Sequence, residues 1–331
     1  MQGVRDVWQN GAQERRSPIS NGEARCLIRS VLIETLADEL PFGTVRFGCQ
    51  IVSVMSDPVT AFPVLQIVDG RTIKAKILIG CDGANSVVAK FLKLRPVKAF
   101  SLSAIRGFTN YPTGHNFPSE FLRIRGKDGA LCGRIPVNDK LVYWFVVLQD
   151  FSSSDVNTST GDGAGIREQA LESAKGLPAE TVQMVANCDQ ESLSLTRLRY
   201  RAPWDIRMGN FREGTVTVAG DAMHVMGPFL GQGGSAALED AVVLARCLSR
   251  KMNEVPFSGG RTAMAAEVGE ALDEFVEERR MRVVWLSTQS FLSGSMLARD
   301  TSFMLKPLCL LLLRLLFRDS AGHTRYDCGE L

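Results

Sequence analysis

Two acidic residues, Asp82 and Asp221, each follow a short apolar stretch that is typical of a buried β-strand, and each precedes a glycine-containing turn and a helix. The first stretch, 77–83, reads ILIGCDG, and the second, 215–221, reads TVTVAGD. An acid just past a strand of an open α/β sheet lies in the crevice where such sheets bind ligands. The Asp221 carboxylate could therefore accept hydrogen bonds from a ribose or ribityl hydroxyl. One such unit is also compatible with an ordinary crossover, but two together favour a nucleotide site.

A glycine-rich turn, GQGG at 231–234, follows Asp221 and opens a long apolar helix. Gly231, Gly233 and Gly234 carry no side chain where a ligand must approach the backbone, and the first turn of a helix offers unpaired N–H groups. Those groups suit an anion or an electron-rich heterocycle. Taken alone, the glycines are equally compatible with a flexible loop. Helical spacing predicts that one face packs on the sheet through Ala237, Ala241, Leu244, Ala245 and Leu248.

A helix predicted from Glu23 to Leu40 places two arginines among its leucines. Arg25, Arg29, Leu32 and Leu36 follow one another at spacings of 4, 3 and 4, which puts all of them on one face. An arginine on a packed face either extends to the edge of the helix or meets a buried anion, and a phosphate is such an anion. A carboxylate partner is an equally good interpretation.

Composition excludes several classes of protein. The 331 residues are 45% hydrophobic, enough for two moderate cores, and the formal net charge of +2 indicates neither nucleic-acid binding nor an anionic surface as partner. The eight cysteines form no C-x-x-C pair and the chain has three histidines, which argues against a metal site and for reduced thiols. The first residues lack the apolar segment of a secretory signal, so we expect a cytoplasmic protein, with a plastid as the alternative.

The remaining pattern predicts three segments. Apolar and polar residues alternate from about 98 to 150, which indicates an antiparallel sheet, and the segment 152–165 is polar and glycine-rich. The aromatic residues of the predicted sheet suit an apolar ligand, but we expect most of them to belong to the core of that domain. They are Phe108, Phe121, Tyr143, Trp144 and Phe145. The apolar run at 308–317 is too short to span a membrane and predicts a buried C-terminal helix, with an interfacial anchor as the alternative.

These motifs carry a resemblance to a known family. The sequence is similar to the class A flavoprotein monooxygenases, the aromatic hydroxylases with the para-hydroxybenzoate hydroxylase fold, and most of all to their plant salicylate-hydroxylase-like members. The similarity rests on the arginine helix, on the Asp-Gly motif at 79–86 and on the Gly-Asp motif at 220–240. It implies an α/β fold: a Rossmann-like FAD-binding domain, an inserted antiparallel substrate domain and C-terminal helices. The implied boundaries are 1–97 and 201–260 for FAD, 98–200 for the substrate and 261–331 for the helices.

The resemblance also implies roles for single residues. Asp221 would bind the ribityl chain or ribose of FAD, Arg29 the pyrophosphate or flavin side, and Asp82 and Gly83 would buttress the pocket where NAD(P)H docks. The flavin ring would lie against the turn that contains Pro228, Gly231, Gln232, Gly233 and Gly234. FAD would supply hydride acceptance and oxygen activation, so no side chain is nominated as catalytic. His224 is interpreted as a structural histidine.

The chain departs from the family in one respect that matters. Its 331 residues contain no G-x-G-x-x-G turn of the kind that binds the FAD pyrophosphate, and no acid some 20 residues later. We therefore expect weak or no flavin affinity. Three hypotheses stay open: an NAD(P)H-dependent hydroxylase of a small aromatic or apolar molecule, a non-catalytic relative that binds FAD poorly, and a flavin epoxidase or reductase acting on an isoprenoid.

Overall fold

The computed structural model of the chain describes residues 1, 3–8, 13–18, 25–126, 131–149, 163–254, 261–317 and 322–330. The chain divides into two compact units. The first unit consists of Met1–Val45, Phe100–Leu198 and Leu297–Asp300. The second consists of Arg46–Ala99, Arg199–Met296 and Thr301–Leu331. Residues 1–45 thus group with the inserted sheet, whereas the sequence-based boundaries join them to 46–97.

The strands of the described residues are 2 to 13 residues long. They are β1 Gly3–Trp8, β2 Glu14–Pro18, β3 Ile51–Ser56, β4 Pro63–Ile67, β5 Thr72–Lys74, β6 Leu78–Gly80, β7 Lys98–Asn110, β8 Phe121–Arg125, β9 Leu131–Pro136, β10 Leu141–Gln149, β11 Ser194–Tyr200, β12 Arg212–Glu213 and β13 Val216–Val218.

The helices are short except for two near the end of the chain. They are α1 Arg29–Asp38, α2 Val87–Phe91, α3 Gly163–Ala174, α4 Ala179–Ala186, α5 Pro203–Met208, α6 Asp221–His224, α7 Gly233–Glu254, α8 Arg261–Leu297 and α9 Leu305–Leu316. No helix in the described ranges combines the length and the apolar composition needed to cross a membrane.

The first unit is built on a seven-stranded sheet with the order β11-β7-β10-β9-β8-β1-β2. Strands β7 to β10 pair antiparallel, as the alternating pattern predicts. One face of this sheet, with Trp144 fully buried at its centre, packs on α3 and α4. The hairpin of β1 and β2 was not predicted, because its polar sequence carries only a weak alternation. Most of the segment 152–165 lies outside the described residues.

The second unit contains the two acidic motifs. Strand β6 pairs parallel with β13, and β12 adds antiparallel to β13. Helices α2, α7 and α8 cover this small sheet with apolar side chains, among them Val88, Val243 and Phe275. The hairpin of β3, β4 and β5 forms a separate three-stranded sheet.

The packed arginine helix is the first prediction that the structure contradicts. Helix α1 begins at Arg29 rather than Glu23, and none of its residues is buried. Leu36 is 51% exposed and the Arg29 side chain is also exposed. The spacing places these residues on one face, but no described element covers that face, because periodicity shows which residues share a face and not what packs on it.

The prediction of a buried C-terminal helix is also contradicted by the structure. In α9 only Cys309 is buried. Met304, Leu308, Leu311 and Leu315, at spacings of 4, 3 and 4, form an exposed apolar stripe, with Met304 at 83% exposure. The helix is apolar on both sides, so its inner side packs on the protein while an equally apolar outer side faces solvent. Hydropathy alone does not distinguish these two sides.

Candidate functional site

The two acidic motifs lie side by side at one edge of the sheet. Because β6 and β13 are parallel, with Gly80 opposite Val218, their carboxyl ends point the same way. The chain continues from these ends into Asp82 and Asp221 respectively. The sequence-based expectation of two strands that each lead into an acid is therefore confirmed. The structure adds that the two strands are neighbours, and the crevice at this edge is where α/β sheets bind ligands.

Asp82 stabilises the start of a helix. Its carboxylate accepts hydrogen bonds from Ser86 Oγ at 2.5 Å and from the Val87 backbone N–H at 2.6 Å, while Gly83 begins a single 3-10 turn. Carboxylates are favourable acceptors for the unpaired N–H groups at a helix N-terminus. Asp82 and Gly83 therefore fix the shape of this edge of the sheet.

Asp221 has the opposite character. It is the first residue of α6 and its side chain is exposed. Within the described ranges no side chain or backbone N–H donates a hydrogen bond to its carboxylate. A charged acceptor at the carboxyl end of a buried strand, with no partner of its own, is available to a ligand.

The turn after α6 leaves open space beside the backbone. Pro228 begins one 3-10 turn, and Gly231 ends it at a φ of +67°, a conformation that favours glycine. Gly233 and Gly234 open α7, and a Cβ atom added at either position would meet no atom of the described chain within 4 Å. Neither backbone conformation nor packing requires glycine at these two positions. A ligand lying against the turn would require it.

The buried face of α7 differs from the predicted one. The buried positions are Ala236, Asp240, Val243, Leu244 and Cys247, whereas Ala241 and Ala245 are exposed. The buried face of α7 is rotated relative to the predicted apolar face, because its centre is occupied by a charged residue, Asp240. Asp240 was not predicted to be buried, because an acid among alanines and leucines normally faces solvent.

Asp240 is buried because three groups bind it. Its Oδ2 accepts hydrogen bonds from the Gly220 backbone N–H at 2.8 Å and from His224 Nε2 at 2.7 Å, and its Oδ1 accepts from Arg279 Nε at 2.7 Å. The side chains of Asp240, His224 and Arg279 are all 0% exposed. Burial alone would raise the pKa of Asp240, but the hydrogen bond from His224 and the charge of Arg279 outweigh it and lower the pKa.

A second layer surrounds Arg279. Its guanidinium also donates to Glu239 Oε2 at 2.7 Å and to the Ala236 carbonyl at 3.2 Å, and it lies over the ring of Tyr326 with 4.8 Å to the centroid. Arg282 donates to Glu239 as well, at 2.8 Å. Burial would raise the pKa of Glu239, and the two arginines lower it instead. His224 is thus buried in a network that the sequence did not reveal, and its interpretation as a structural histidine stays a prediction.

Arg29 does not belong to the same unit as these residues. It lies at the start of α1 in the first unit, exposed to solvent, while Asp82, Asp221 and the glycine turn are all in the second. Its assignment to the pyrophosphate stays a prediction.

The first unit presents an aromatic surface on the face of its sheet opposite to α3 and α4. Ring centroids are 5.5 Å apart for Phe108 and Tyr143, 6.4 Å for Tyr143 and Phe145, and 6.1 Å for Phe145 and Phe121. These four rings are half-buried, whereas Trp144, on the other face, is core and donates to Thr109 Oγ1 at 3.0 Å. Burial raises the pKa of Tyr143, and the charge of Arg106 acts against this rise.

Comparison with known proteins identifies the family. A family model described as an FAD binding domain matches residues 27–258, more than half of the chain. Monooxygenase 1 of Arabidopsis thaliana is 51% identical over 326 residues, which cover 98% of this chain and 80% of that protein. The chain belongs to the FAD-dependent monooxygenases. Monooxygenase 2 of the same plant is 34% identical, over 93% of this chain and 75% of that protein.

Solved structures support the same fold. HpxO of Klebsiella pneumoniae, in complex with FAD and uric acid, superposes with a TM-score of 0.71 at 18% identity, over 98% of this chain and 79% of that one. The 2,6-dihydroxypyridine-3-hydroxylase of Arthrobacter nicotinovorans gives a TM-score of 0.69 at 15% identity, over 91% of this chain and 77% of that one. The α/β fold with its inserted sheet, expected from the resemblance, is therefore confirmed.

The second unit fits the cofactor of this family. The free carboxylate of Asp221 suits a sugar or ribityl hydroxyl, and the open backbone at Gly233 and Gly234 suits a flat ring. The N–H groups of the first turn of α7 would face such a ring and suit negative charge on it.

Proposed function

We propose that this FAD-dependent monooxygenase uses NAD(P)H and O₂ to hydroxylate a small aromatic or apolar substrate. The observation that carries the proposal is the Asp221 carboxylate, to which no described residue donates a hydrogen bond, beside glycines that the packing of the described residues does not require. Bound FAD supplies hydride acceptance and oxygen activation. The residues of this chain bind and orient FAD and keep water away from it.

We propose for the binding residues the roles that the family resemblance implies. Asp221 accepts hydrogen bonds from the ribityl chain or ribose. The turn of Pro228, Gly231, Gln232, Gly233 and Gly234 would hold the flavin ring, and the N–H groups of this turn would stabilise negative charge there. Arg29 pairs with the pyrophosphate or the flavin side. Asp82 and Gly83 hold the edge of the pocket and the surface where NAD(P)H docks.

Replacing Gly234 by alanine tests the turn. Because Gly234 lies in a helix and its Cβ position is open, we expect the alanine variant without FAD to be as stable as the wild type or up to about 1 kcal/mol more stable. FAD binding should weaken at the same time, since the methyl group occupies space that the cofactor needs. Urea unfolding without FAD and FAD titration measure the two effects. Unchanged FAD affinity would remove Gly234 from the site.

The aromatic surface supports the substrate class. Four half-buried rings offer stacking partners to a flat apolar molecule. Arg106 lies beside them, opposite Phe145 in the register of β7 and β10, and no carboxylate of the described chain pairs with it. A substrate with an acidic group would place that group against Arg106.

The proposal is tested by substrate-dependent oxidation of NAD(P)H in the presence of FAD, with incorporation of oxygen from ¹⁸O₂ into the product. For an Arg106→Gln variant we expect KM for aromatic acids to rise about 10- to 100-fold, as for a lost charge-assisted hydrogen bond, while neutral aromatics are little affected. Equal effects on both classes would contradict the role of Arg106. Oxidation without oxygen transfer for any aromatic or apolar compound would contradict the hydroxylase proposal.

Two further features belong to the proposal. The eight cysteines are all free thiols, which supports a reducing compartment, the cytoplasm or alternatively a plastid.

The exposed apolar stripe of α9 supports peripheral contact with a lipid surface. The only charged residues of this helix are Lys306 and Arg314, and both are basic. Cosedimentation with anionic vesicles tests this contact, and a protein that stays in the supernatant at low salt would exclude it.

A further inference from the structure

The short helix that carries Asp221 is held at both ends by one carboxylate oxygen. Asp240 Oδ2 accepts from the backbone N–H of Gly220, immediately before α6, and from the ring of His224, its last residue. Gly220 has a φ of +59°, and a Cβ atom there would lie 3.4 Å from the Ala237 side chain, so this end of the helix sits tightly on α7. The position of Asp221 is therefore determined by the position of Asp240.

Asp240 is in turn held by Arg279 from a different helix. The Nε of Arg279, on α8, donates to the second oxygen of the Asp240 carboxylate, on α7, at 2.7 Å. This bond fixes the rotation of the carboxylate, so that Oδ2 points at α6. Glu239 and the ring of Tyr326 fix the guanidinium from its other sides. The result is a chain of buried contacts from α8 through α7 to α6.

A second buried arginine restrains the same segment directly. Arg201, 3% exposed, donates from its guanidinium to the Ala222 carbonyl at 3.1 Å, and its backbone N–H donates to the Val225 carbonyl at 2.7 Å. Every residue of α6 except Asp221 is buried. The one exposed side chain of α6 is thus the one available to a ligand, and everything around it is fixed.

We propose that His224, Asp240 and Arg279 are positioning residues that hold the Asp221 carboxylate where FAD meets it. The proposal rests on the assignment of Asp221 to the FAD site. A network that served only the fold would need no connection to α6, because the contact of Arg279 with Asp240 already joins α7 to α8. In this protein the Asp240 carboxylate also accepts hydrogen bonds at both ends of α6, the helix that carries Asp221.

The test uses the full chain and two variants. In both of them a cationic side chain at position 279 still faces Asp240, so no buried charge loses its partner. His224→Leu removes one anchor of α6, and Arg279→Lys keeps the charge while losing the fixed geometry of the guanidinium. Val283→Ala is the matched control, since Val283 is also fully buried on α8 but lies outside the network. Each protein without FAD is unfolded in urea, and FAD affinity is measured by quenching of flavin fluorescence.

We expect His224→Leu and Arg279→Lys to weaken FAD binding at least 10-fold and to alter the circular dichroism of the bound flavin. Val283→Ala should change stability by a similar amount and leave both FAD readouts unchanged. Combined with Asp221→Ala, His224→Leu should weaken binding no further, because both changes remove the same interaction.

Four results would overturn the proposal, and they are distinguishable. Equal FAD affinity of His224→Leu and the control would show a purely structural network. Full additivity with Asp221→Ala would show that the network does not act through Asp221. Failure of the wild type to bind FAD, or normal binding by Asp221→Ala alone, would overturn the assignment of the site together with this proposal.

Discussion

Asp221→Ala is expected to weaken FAD binding by about 1.5–3 kcal/mol, roughly a 10- to 150-fold increase in Kd, because it removes a charged acceptor of the cofactor's hydroxyl groups. The fold should be retained. Asp221 is exposed and no described group donates to its carboxylate, so the free energy of unfolding without FAD should change by no more than about 0.5 kcal/mol.

The measurement is an FAD titration of wild type, Asp221→Ala and Glu213→Ala in parallel. Glu213 is a suitable control because it is an exposed acid on β12 of the same small sheet and lies outside the binding residues. The control should bind FAD like the wild type. Asp221→Asn should fall between the wild type and the alanine variant, since it keeps an acceptor oxygen and loses the charge. An alanine variant with wild-type affinity would remove Asp221 from the site.

Arg279→Met is expected to have the largest effect on stability. It leaves Asp240, which is 0% exposed, without its cationic partner, and breaking a buried ion pair on one side costs about 3–5 kcal/mol. The double variant Asp240→Leu, Arg279→Met leaves no unpaired charge between these two positions and should be destabilised less than Arg279→Met alone. Urea unfolding without FAD gives both values. If the double variant loses as much as the sum of the single ones, the pair is not coupled.

The decrease in the free energy of unfolding caused by Arg279→Met should also depend on pH. The pKa of Asp240 is lowered in the folded protein, so its stabilising effect is complete above the unfolded value of about 4 and is lost as pH falls through the folded value. Without Arg279 the folded pKa rises, and protonation then relieves the unpaired charge. The difference in unfolding free energy between wild type and variant should narrow from pH 5 to pH 3. A constant difference would contradict a role for the Asp240 charge.

Much of the site could be predicted from sequence because its parts are local. A strand, an acid and a glycine turn occur within a few residues of one another in the sequence, and both strands, β6 and β13, are present in the structure. The family resemblance added the roles of these residues. The antiparallel strands between them follow from alternation along a single stretch of chain.

The other features depend on contacts between distant segments. The buried face of α7 includes Asp240 because Arg279 lies 39 residues further along the chain and meets it there. No local pattern indicates such a partner. For the same reason the exposure of α1 and of the outer stripe of α9 was not predicted. A periodic apolar face is the same in sequence whether or not something covers it.

The central claim is that the second unit binds FAD through Asp221 and the glycine turn. It is tested most directly by titrating the purified chain and Asp221→Ala with FAD while recording the visible absorption spectrum. Since the 331 residues contain no G-x-G-x-x-G turn, we predict that FAD binds weakly but saturably, at one FAD per chain. The wild type should perturb the flavin spectrum, and Asp221→Ala should not do so at the same concentrations. A wild-type spectrum that stays that of free FAD, or identical titrations of the two proteins, would contradict the account.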